Sequence, residues 1–198
     1  MKKIGQGWQY TVYDIGNGRV RKVFNSRLQA YGIFLRECFP YSDYPIWKFG
    51  KVYEDMYSKA KISISWLKKT SINFQIFGNV VFLNETDYEQ DYSLPLNIYL
   101  KKLDISKGRR VIDEFIHLNK LLISNEIIDK SFLIGKNYAI NSSGDVILID
   151  VGELFIGKEK IENQIKKRPW DHPYVTSTIP KHLRKYFVES LDGAFLIV

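Results

Sequence analysis

Residues 137–152 read NYAINSSGDVILIDVG, in which two β-prone runs flank a polar turn that contains Gly144. This pattern predicts an antiparallel hairpin. Asn137 begins the first strand and Asp150 ends the second, so folding brings both to the open end, where cross-strand neighbours are roughly 5 Å apart. An amide oxygen and a carboxylate that close can share a hard cation with phosphate oxygens. On this segment alone, the alternative that Asn137 and Asp150 merely end strands beside turns is equally good.

A second predicted hairpin lies in residues 4–24, which read IGQGWQYTVYDIGNGRVRKVF and turn at Asn17-Gly18. Gly5 and Gly7, near the start of its first strand, let a ligand approach the backbone closely. On the return strand Lys22 shares a face with apolar neighbours, because strand side chains alternate with a period of two. Alone, Lys22 would equally be an edge-strand lysine in a basic stretch.

The order of these features is that of the protein kinase template: glycine loop, strand lysine, helix glutamate, metal-binding Asn and Asp-x-Gly. Residues Gly5 to Val12 match Gly-x-Gly-x-x-Gly-x-Val in register, with Tyr10 in place of the third glycine. Asn137 and Asp150 are thirteen positions apart, the spacing familiar from protein kinases. The chain therefore resembles the protein kinase-like superfamily.

A narrower likeness, to the small bacterial kinase-like proteins of the PhoP regulatory network, lies in residues 125–137 and 150–153. Lipopolysaccharide-core sugar kinases are more distant relatives, and the resemblance covers residues 4–156. It implies an α+β, compact two-lobed kinase-like fold. The N-lobe, residues 1–86, would hold an antiparallel sheet and one helix. Residues 87–198 would form a reduced helical C-lobe with the catalytic-loop hairpin and a basic tail.

The resemblance also implies that ATP and Mg²⁺ bind in the cleft between the lobes, and it gives individual residues roles. The metal would be held by Asn137 and Asp150. An adenine would bond to backbone in a hinge over residues 84–92, which begins at Asn84. Glu37 would orient Lys22 through an ion pair, unless it instead pairs with Arg36 at the surface. The remaining nucleotide-binding candidates are Gly5, Gly7, Val12 and Lys22.

One position departs from the kinase pattern. In protein kinases an Asp five positions before the metal-binding Asn accepts or orients the substrate hydroxyl, and here that position is Phe132. A phenyl ring cannot accept a proton. Asp129, eight positions before Asn137, is a candidate catalytic replacement if the loop bulges. Phosphoryl transfer depends largely on positioning and charge neutralisation, so loss of one base slows it without necessarily abolishing it.

Several functions therefore stay open. The chain is predicted to be an atypical ATP-dependent phosphotransferase acting on a hydroxyl of a protein or small molecule. A nucleotide-binding pseudokinase that acts as a regulatory scaffold is the alternative, as is nucleotidyl transfer from the same fold. A basic adaptor without a nucleotide site requires the order of the motifs to be coincidence.

The rest of the chain predicts the remaining elements. Ser26 predicts the start of a helix over residues 27–39. An apolar face at helical spacing from Lys107 predicts the central helix of the second lobe, and residues 181–191 predict a closing helix. β-prone composition predicts strands over residues 45–56, 60–66 and 72–84.

The formal net charge is +7, and residues 157–185 carry eight Lys or Arg against three acidic residues. This segment is complementary in charge to an acidic protein or a phosphorylated substrate, although a solvated basic surface is the ordinary explanation. No nucleic-acid module accompanies it, so we expect no nucleic-acid partner. Cys38 is the only cysteine, which excludes an intrachain disulfide. Without a signal peptide or an apolar span, we expect a cytoplasmic protein.

Overall fold

The structure, a computed structural model, describes residues 1–38 and 46–196, except for the side chains of residues 37 and 38. It is a mixed α+β structure that divides into two compact units. The first unit comprises Met1–Ser71 and Val80–Tyr92, and the second comprises Ile72–Asn79 and Ser93–Val198. The division therefore falls after Tyr92 rather than at the expected residue 86, and a short earlier segment belongs to the second unit.

An antiparallel sheet of five strands forms the first unit: β1 (Lys2–Gln6), β2 (Tyr10–Gly16), β3 (Arg19–Phe24), β4 (Val81–Phe82) and β5 (Tyr88–Asp91). The strand order is β1-β2-β3-β5-β4. The hairpin predicted at Asn17-Gly18 is confirmed, and both residues have positive φ, 54° and 69°. A two-residue hairpin turn of this kind requires positive φ at both positions, which Asn and Gly tolerate best.

Two helices accompany this sheet: α1 (Arg27–Ile33), continued by a π-helical turn at Phe34–Cys38, and α2 (Phe49–Leu67), preceded by a 3₁₀ turn at Ile46–Lys48. Ser26 caps α1 as predicted. Its Oγ accepts from the Gln29 backbone N–H at 3.4 Å, and Gln29 Oε1 accepts from the Ser26 N–H at 2.9 Å. This reciprocal pair satisfies two backbone donors at the helix start.

The expectation of one helix in this unit is wrong, because α2 occupies most of the segments predicted as strands at 45–56 and 60–66. The buried apolar residues of α2 recur at helical intervals, and this period outweighed their β-prone composition. They are Phe49, Met56, Ala60, Ile64 and Leu67. The strand predicted over 72–84 is reduced to β4, preceded by a 3₁₀ turn at Phe74–Phe77.

The core of the first unit joins its helices to the sheet. Ala30 and Phe34 pack with Phe49 and Met56 of α2, and Trp8 and Phe24 pack against this cluster. The ring centroids of Trp8 and Phe34 are 5.8 Å apart, and Trp8 lies between β1 and β2. The helices therefore fix the chain at the turn between β1 and β2.

Short strands and helices make up the second unit. The strands are β6 (Leu94–Pro95), β7 (Ile127–Asp129), β8 (Tyr138–Ile140), β9 (Val146–Leu148) and β10 (Leu154–Ile156). The helices are α3 (Leu96–Tyr99), α4 (Ile105–Ser124), α5 (Ile134–Asn137), α6 (Lys158–Lys166), α7 (Pro173–Ser177) and α8 (Lys181–Phe195), with 3₁₀ turns at Leu100–Lys102 and Pro169–Asp171. Two small sheets form, one in the order β6-β8-β9 and one from β7 and β10.

The long helix α4 was predicted from its apolar face, and Asp104 caps it by accepting from the Lys107 backbone N–H at 2.8 Å. Its predicted face is buried except for Leu121, which is 41% exposed. Phe115 of α4 meets Tyr138 of β8 with ring centroids 4.6 Å apart. The closing helix α8 extends four residues beyond its predicted end. In the part of the chain that the structure describes, no helix combines the length and apolarity that a membrane span needs.

Candidate active site

The hairpin predicted at residues 137–152 is confirmed. Strands β8 and β9 pair antiparallel, with Tyr138 opposite Leu148. At the open end, the backbone N–H groups of Ile149 and Asp150 donate to the Asn137 carbonyl at 2.8 and 3.3 Å. The register therefore continues past the strands and places Asn137 beside Asp150, as the sequence predicted.

Asp129, at the end of β7, joins this pair. Asn137 Nδ2 donates to Asp129 Oδ1 at 3.0 Å, and the Leu133 backbone N–H donates to Asp129 Oδ2 at 3.1 Å. Ser131 Oγ lies 3.2 Å from both carboxylate oxygens. The Asp129 side chain is only 2% exposed. The loop from Asp129 to Asn137 therefore folds back so that its two end residues are joined by a hydrogen bond.

Burial raises the pKa of Asp129 to about 6, because a charged carboxylate loses its hydration there. The hydrogen bond from Asn137 opposes this shift, whereas the negative charge of Asp150 adds to it. The contribution of Asp150 shows that the two carboxylates are close enough to repel each other. A cation bound beside them would offset that repulsion.

Asn137 and Asp150 are the residues of this cluster that could hold a cation. Asn137 uses Nδ2 for Asp129 and Ser131, which leaves its amide oxygen for a cation. Asp150 Oδ1 accepts from the Gly152 N–H at 3.2 Å, which leaves Oδ2. No group of three or more His, Cys, Asp or Glu among the described residues is arranged for a metal. Protein Mg²⁺ sites commonly use one or two carboxylates, with phosphates and water as the other ligands.

Phe132, at the position of the usual kinase Asp, lies in the core of the second unit. Its side chain is fully buried, and its ring centroid is 5.2 Å from that of Trp170 and 5.9 Å from that of Phe195. Its φ of 50° is unusual for a bulky residue. An inverse γ-turn follows at Leu133, with the Ile134 N–H donating to the Phe132 carbonyl at 2.7 Å. Position 132 therefore serves packing, and the carboxylate beside Asn137 comes from Asp129.

Lys22 lies on β3 of the first unit, paired with Val12 of β2 on one side and with Tyr88 of β5 on the other. It is only 8% exposed, and its Nζ lies 5.5 Å from the centroid of the Tyr88 ring. A lysine so buried in the middle of a sheet is not the edge-strand lysine of the alternative interpretation. Its predicted partner Glu37 has its side chain outside the described residues, so the ion pair stays a prediction.

The predicted glycine loop forms a turn between β1 and β2. Gly5 lies in β1 opposite Val12, and the Gly7 N–H donates to the Tyr10 carbonyl at 2.8 Å. A Cβ atom at Gly5 would meet only ordinary contacts, 3.6 Å from Val12, and one at Gly7 would meet nothing nearer than 3.9 Å. Neither glycine has positive φ. The fold of the first unit therefore does not itself require glycine at these positions.

Asn25 holds this turn in place, and the sequence analysis missed it. Its Nδ2 donates to the carbonyls of Gly7 and Trp8 at 2.9 and 2.8 Å, and its Oδ1 accepts from Thr11 Oγ1 at 2.6 Å. The residue is 1% exposed. An Asn directly before a helix cap carries no sequence signal for contacts with a turn 17 or 18 positions earlier.

Asn84 does not lie in a connecting hinge. It lies in the turn between β4 and β5, where its Oδ1 accepts from the backbone N–H groups of Thr86 and Asp87 at 2.8 and 2.7 Å. The segment 84–92 expected to be a hinge is therefore this turn followed by β5. The chain passes between the units after Ser71, after Asn79 and after Tyr92, and Asn84 lies at none of these points.

A groove of about 630 Å³ lies in the second unit and is lined by Ser131, which also bonds to Asp129. Three cations contribute to its walls, Lys130, Lys167 and Arg168. Two carboxylates do as well, Glu153 and Asp171. Lys130 lies 3.6 Å from Glu153, and Arg168 lies 3.4 Å from Asp171. The groove therefore offers both hydrogen-bond donors and acceptors next to the Asp129 cluster.

The basic segment 157–185 is partly neutralised by residues beyond it. Arg168 binds Asp192 of α8 through two hydrogen bonds, at 3.0 Å from Nε and 2.6 Å from Nη2. Trp170 Nε1 donates to the same carboxylate at 3.0 Å. The count of charges within the segment therefore overstates its positive charge. A partner at this segment stays a prediction.

Comparison with known proteins found no matching family model and no matching curated protein. The function must therefore be argued from the residues and their geometry.

Proposed function

We propose that this chain belongs to the protein kinase-like superfamily, binds Mg-ATP and transfers the γ-phosphoryl group to a hydroxyl of a protein or small molecule. Asn137 and Asp150 hold the magnesium ion, and Lys22 contacts the phosphates. Asp129 replaces the usual kinase base and receives the proton of the acceptor hydroxyl. Mutation of Lys22 and mutation of Asp150 test these roles separately.

The observation that carries the proposal is the Asp129–Asn137–Asp150 cluster. A buried carboxylate, an amide with its nitrogen already bonded and a second carboxylate meet in a loop-and-hairpin segment of 22 residues. In protein kinases the catalytic-loop Asn and the Asp of Asp-x-Gly hold the metal ions, and a nearby Asp orients the acceptor. The cluster contains a side chain of the type that each of these three roles needs, although the carboxylate of Asp129 lies at another position in the sequence.

The first unit adds two supporting observations. Lys22 is buried on the third strand, where the kinase template places its phosphate-binding lysine. Gly5 in β1 and Gly7 in the turn that follows have no structural need to be glycine. A ligand that approaches the backbone closely would explain glycine at these positions, whereas the fold does not.

Titration with ATP by calorimetry, with and without Mg²⁺, tests the nucleotide site. We expect binding that Mg²⁺ strengthens, and we expect Lys22→Met and Asp150→Asn each to weaken it by at least about tenfold, since charge-assisted contacts contribute roughly 1.5–3 kcal/mol. Lys160→Met, at an exposed position, and Asp145→Asn, at the other end of the same hairpin, are the matched controls. Unaltered binding in both test variants would overturn the proposed site.

A nucleotide-binding pseudokinase is the second candidate, favoured by the burial of Phe132 where kinases have their catalytic Asp. Incubation with γ-labelled and α-labelled ATP beside cell extract separates the functions. Transfer of the γ label supports the kinase. Transfer of the α label alone indicates nucleotidyl transfer, and binding without either transfer supports the pseudokinase.

A further inference from the structure

The Ser131 hydroxyl has the contacts expected of a reacting hydroxyl in a phosphotransferase. Its Oγ is 3.2 Å from each oxygen of Asp129, to which it donates, and it accepts from Asn137 Nδ2 at 3.1 Å. A nucleophile within hydrogen-bond reach of a base, with a third group orienting that base, is the usual arrangement for activating a hydroxyl. Asn137 is that third group, since it also donates to Asp129.

Ser131 is also reachable. The residue is half-buried and lines the groove of about 630 Å³, whereas its neighbour Phe132 is fully buried. The groove therefore reaches this loop at Ser131.

The groove also contains partners for a phosphoserine. Lys130, Lys167 and Arg168 line it together with Ser131. Asp192 anchors the Arg168 guanidinium through two hydrogen bonds. Phosphorylation creates charge-assisted hydrogen bonds where Lys or Arg side chains are in reach. Lys130 and Arg168 already pair with Glu153, Asp171 and Asp192, so a phosphoserine would compete with these carboxylates for the two cations.

We propose that Ser131 is a self-phosphorylation site of this chain. The inference rests on the proposed function, because the nucleotide held by Asn137 and Asp150 supplies the phosphoryl group. Ser131 Oγ forms the new bond to the γ-phosphorus of ATP, and the bond from that phosphorus to the β,γ-bridging oxygen breaks. The hydroxyl proton passes to the Asp129 carboxylate, and ADP leaves with the electron pair of the broken bond. The step is intramolecular, since the base Asp129 and the acceptor Ser131 lie in the loop that ends at Asn137, one of the residues proposed to hold the nucleotide.

Incubation of the full chain with Mg-[γ-³²P]ATP, followed by trypsin and tandem mass spectrometry, tests this proposal. The tryptic peptide 131–136 reads SFLIGK, so Ser131 is its only hydroxyl side chain. We expect label in this peptide, at a rate per molecule that does not depend on protein concentration. A rate proportional to concentration would overturn the intramolecular step.

Three variants separate a reacting serine from one that only shapes its loop. Ser131→Ala should lose the label, whereas Ser131→Thr should carry it as phosphothreonine. Asp129→Asn should slow labelling by about 10²-fold or more, since general-base help is typically worth roughly 10²–10⁴-fold. Ser124→Ala is the matched control, because the Ser124 hydroxyl bonds only near the end of α4, donating to the Leu121 carbonyl and accepting from Asn125 Nδ2.

Calorimetry on the same preparation keeps this inference distinct from the proposed function. If the wild-type chain binds Mg-ATP but peptide 131–136 stays unlabelled, Ser131 is a structural residue, and the nucleotide site stands. If the chain does not bind Mg-ATP, the proposed function fails and the inference fails with it.

Discussion

The buried carboxylate of Asp129 should make the protein less stable as the pH rises. Its pKa in the folded chain is about 6, above the ordinary value of 3.8 that it regains on unfolding. Between these values the folded state binds the proton more tightly than the unfolded state does. The free energy of unfolding therefore falls as the pH rises through this interval, and the loss is complete above pH 6.

The size of the effect follows from the shift. A pKa shift of about two units corresponds to a total change of roughly 3 kcal/mol in the free energy of unfolding. About 2 kcal/mol of this lies between pH 4.5 and pH 7.5, because the carboxyl already begins to ionise in the unfolded chain at the lower pH. Asp129→Asn removes the ionisation while keeping the size of the side chain. The stability of the wild type relative to this variant should therefore fall by about 2 kcal/mol over that range.

Urea unfolding followed by circular dichroism, in EDTA and at both pH values, measures this difference. Carboxyl ¹³C shifts of Asp129 provide a direct check by NMR, and Asp150→Asn should lower its pKa, because the charge of Asp150 contributes to the shift. Any hydrogen bond that Asp129→Asn rearranges contributes equally at both pH values. Parallel stability profiles of wild type and variant would refute the argument that Asp129 is buried as an acid.

Three further predictions concern other positions. A Cβ at Gly135 would lie 2.5 Å from Thr178 Cβ, so Gly135→Ala should destabilise the chain by about 1–3 kcal/mol in urea unfolding. Gly193 lies in a helix with open space around it, so Gly193→Ala should stabilise the chain by roughly 0.5–1 kcal/mol in the same assay. Phe132→Asp, which introduces the Asp of the kinase pattern, should lower the free energy of unfolding by at least about 3 kcal/mol in urea unfolding and should not raise phosphoryl transfer, because the position lies in an aromatic core. Gly7→Ala should leave the thermal unfolding midpoint within a few degrees of the wild-type value, because a Cβ has room there. The same variant should weaken Mg-ATP binding in calorimetry. Unaltered affinity would mean that no ligand approaches this turn.

The sequence predicted the fold best where local turn chemistry determines the structure. Asn17-Gly18 and the polar turn at Gly144 specify their hairpins, and Ser26 specifies a helix start, because each acts on its immediate neighbours. Composition failed for α2, whose Ile, Tyr and Trp residues favour strands one by one. The spacing of its buried residues is helical, and tertiary packing of that face outweighs the preference of single residues.

In the candidate site too, the sequence predicted contacts set by local structure and missed contacts between distant segments. Asn137 and Asp150 meet because strand pairing follows from the hairpin, which the sequence shows directly. Contacts between distant turns were not predictable, since Asn25 reaches the β1–β2 turn only after the sheet has formed. Asn84 was misassigned because a polar acidic segment fits both a connecting hinge and a hairpin turn, and only pairing of β4 with β5 distinguishes them.

If Asp129 acts as the proposed base, it does so from a position where the kinase motif places no catalytic carboxylate. The kinase pattern places the acid five positions before the metal-binding Asn, whereas Asp129 is eight positions before Asn137. The positive φ of Phe132 and the γ-turn at Leu133 fold the longer segment back on itself. Asn137 Nδ2 therefore lies 3.0 Å from Asp129 despite the eight-residue separation. Phosphoryl transfer requires a carboxylate beside the metal ligands. A loop whose length differs from that of kinases can supply this carboxylate when the Phe132 side chain packs into the core.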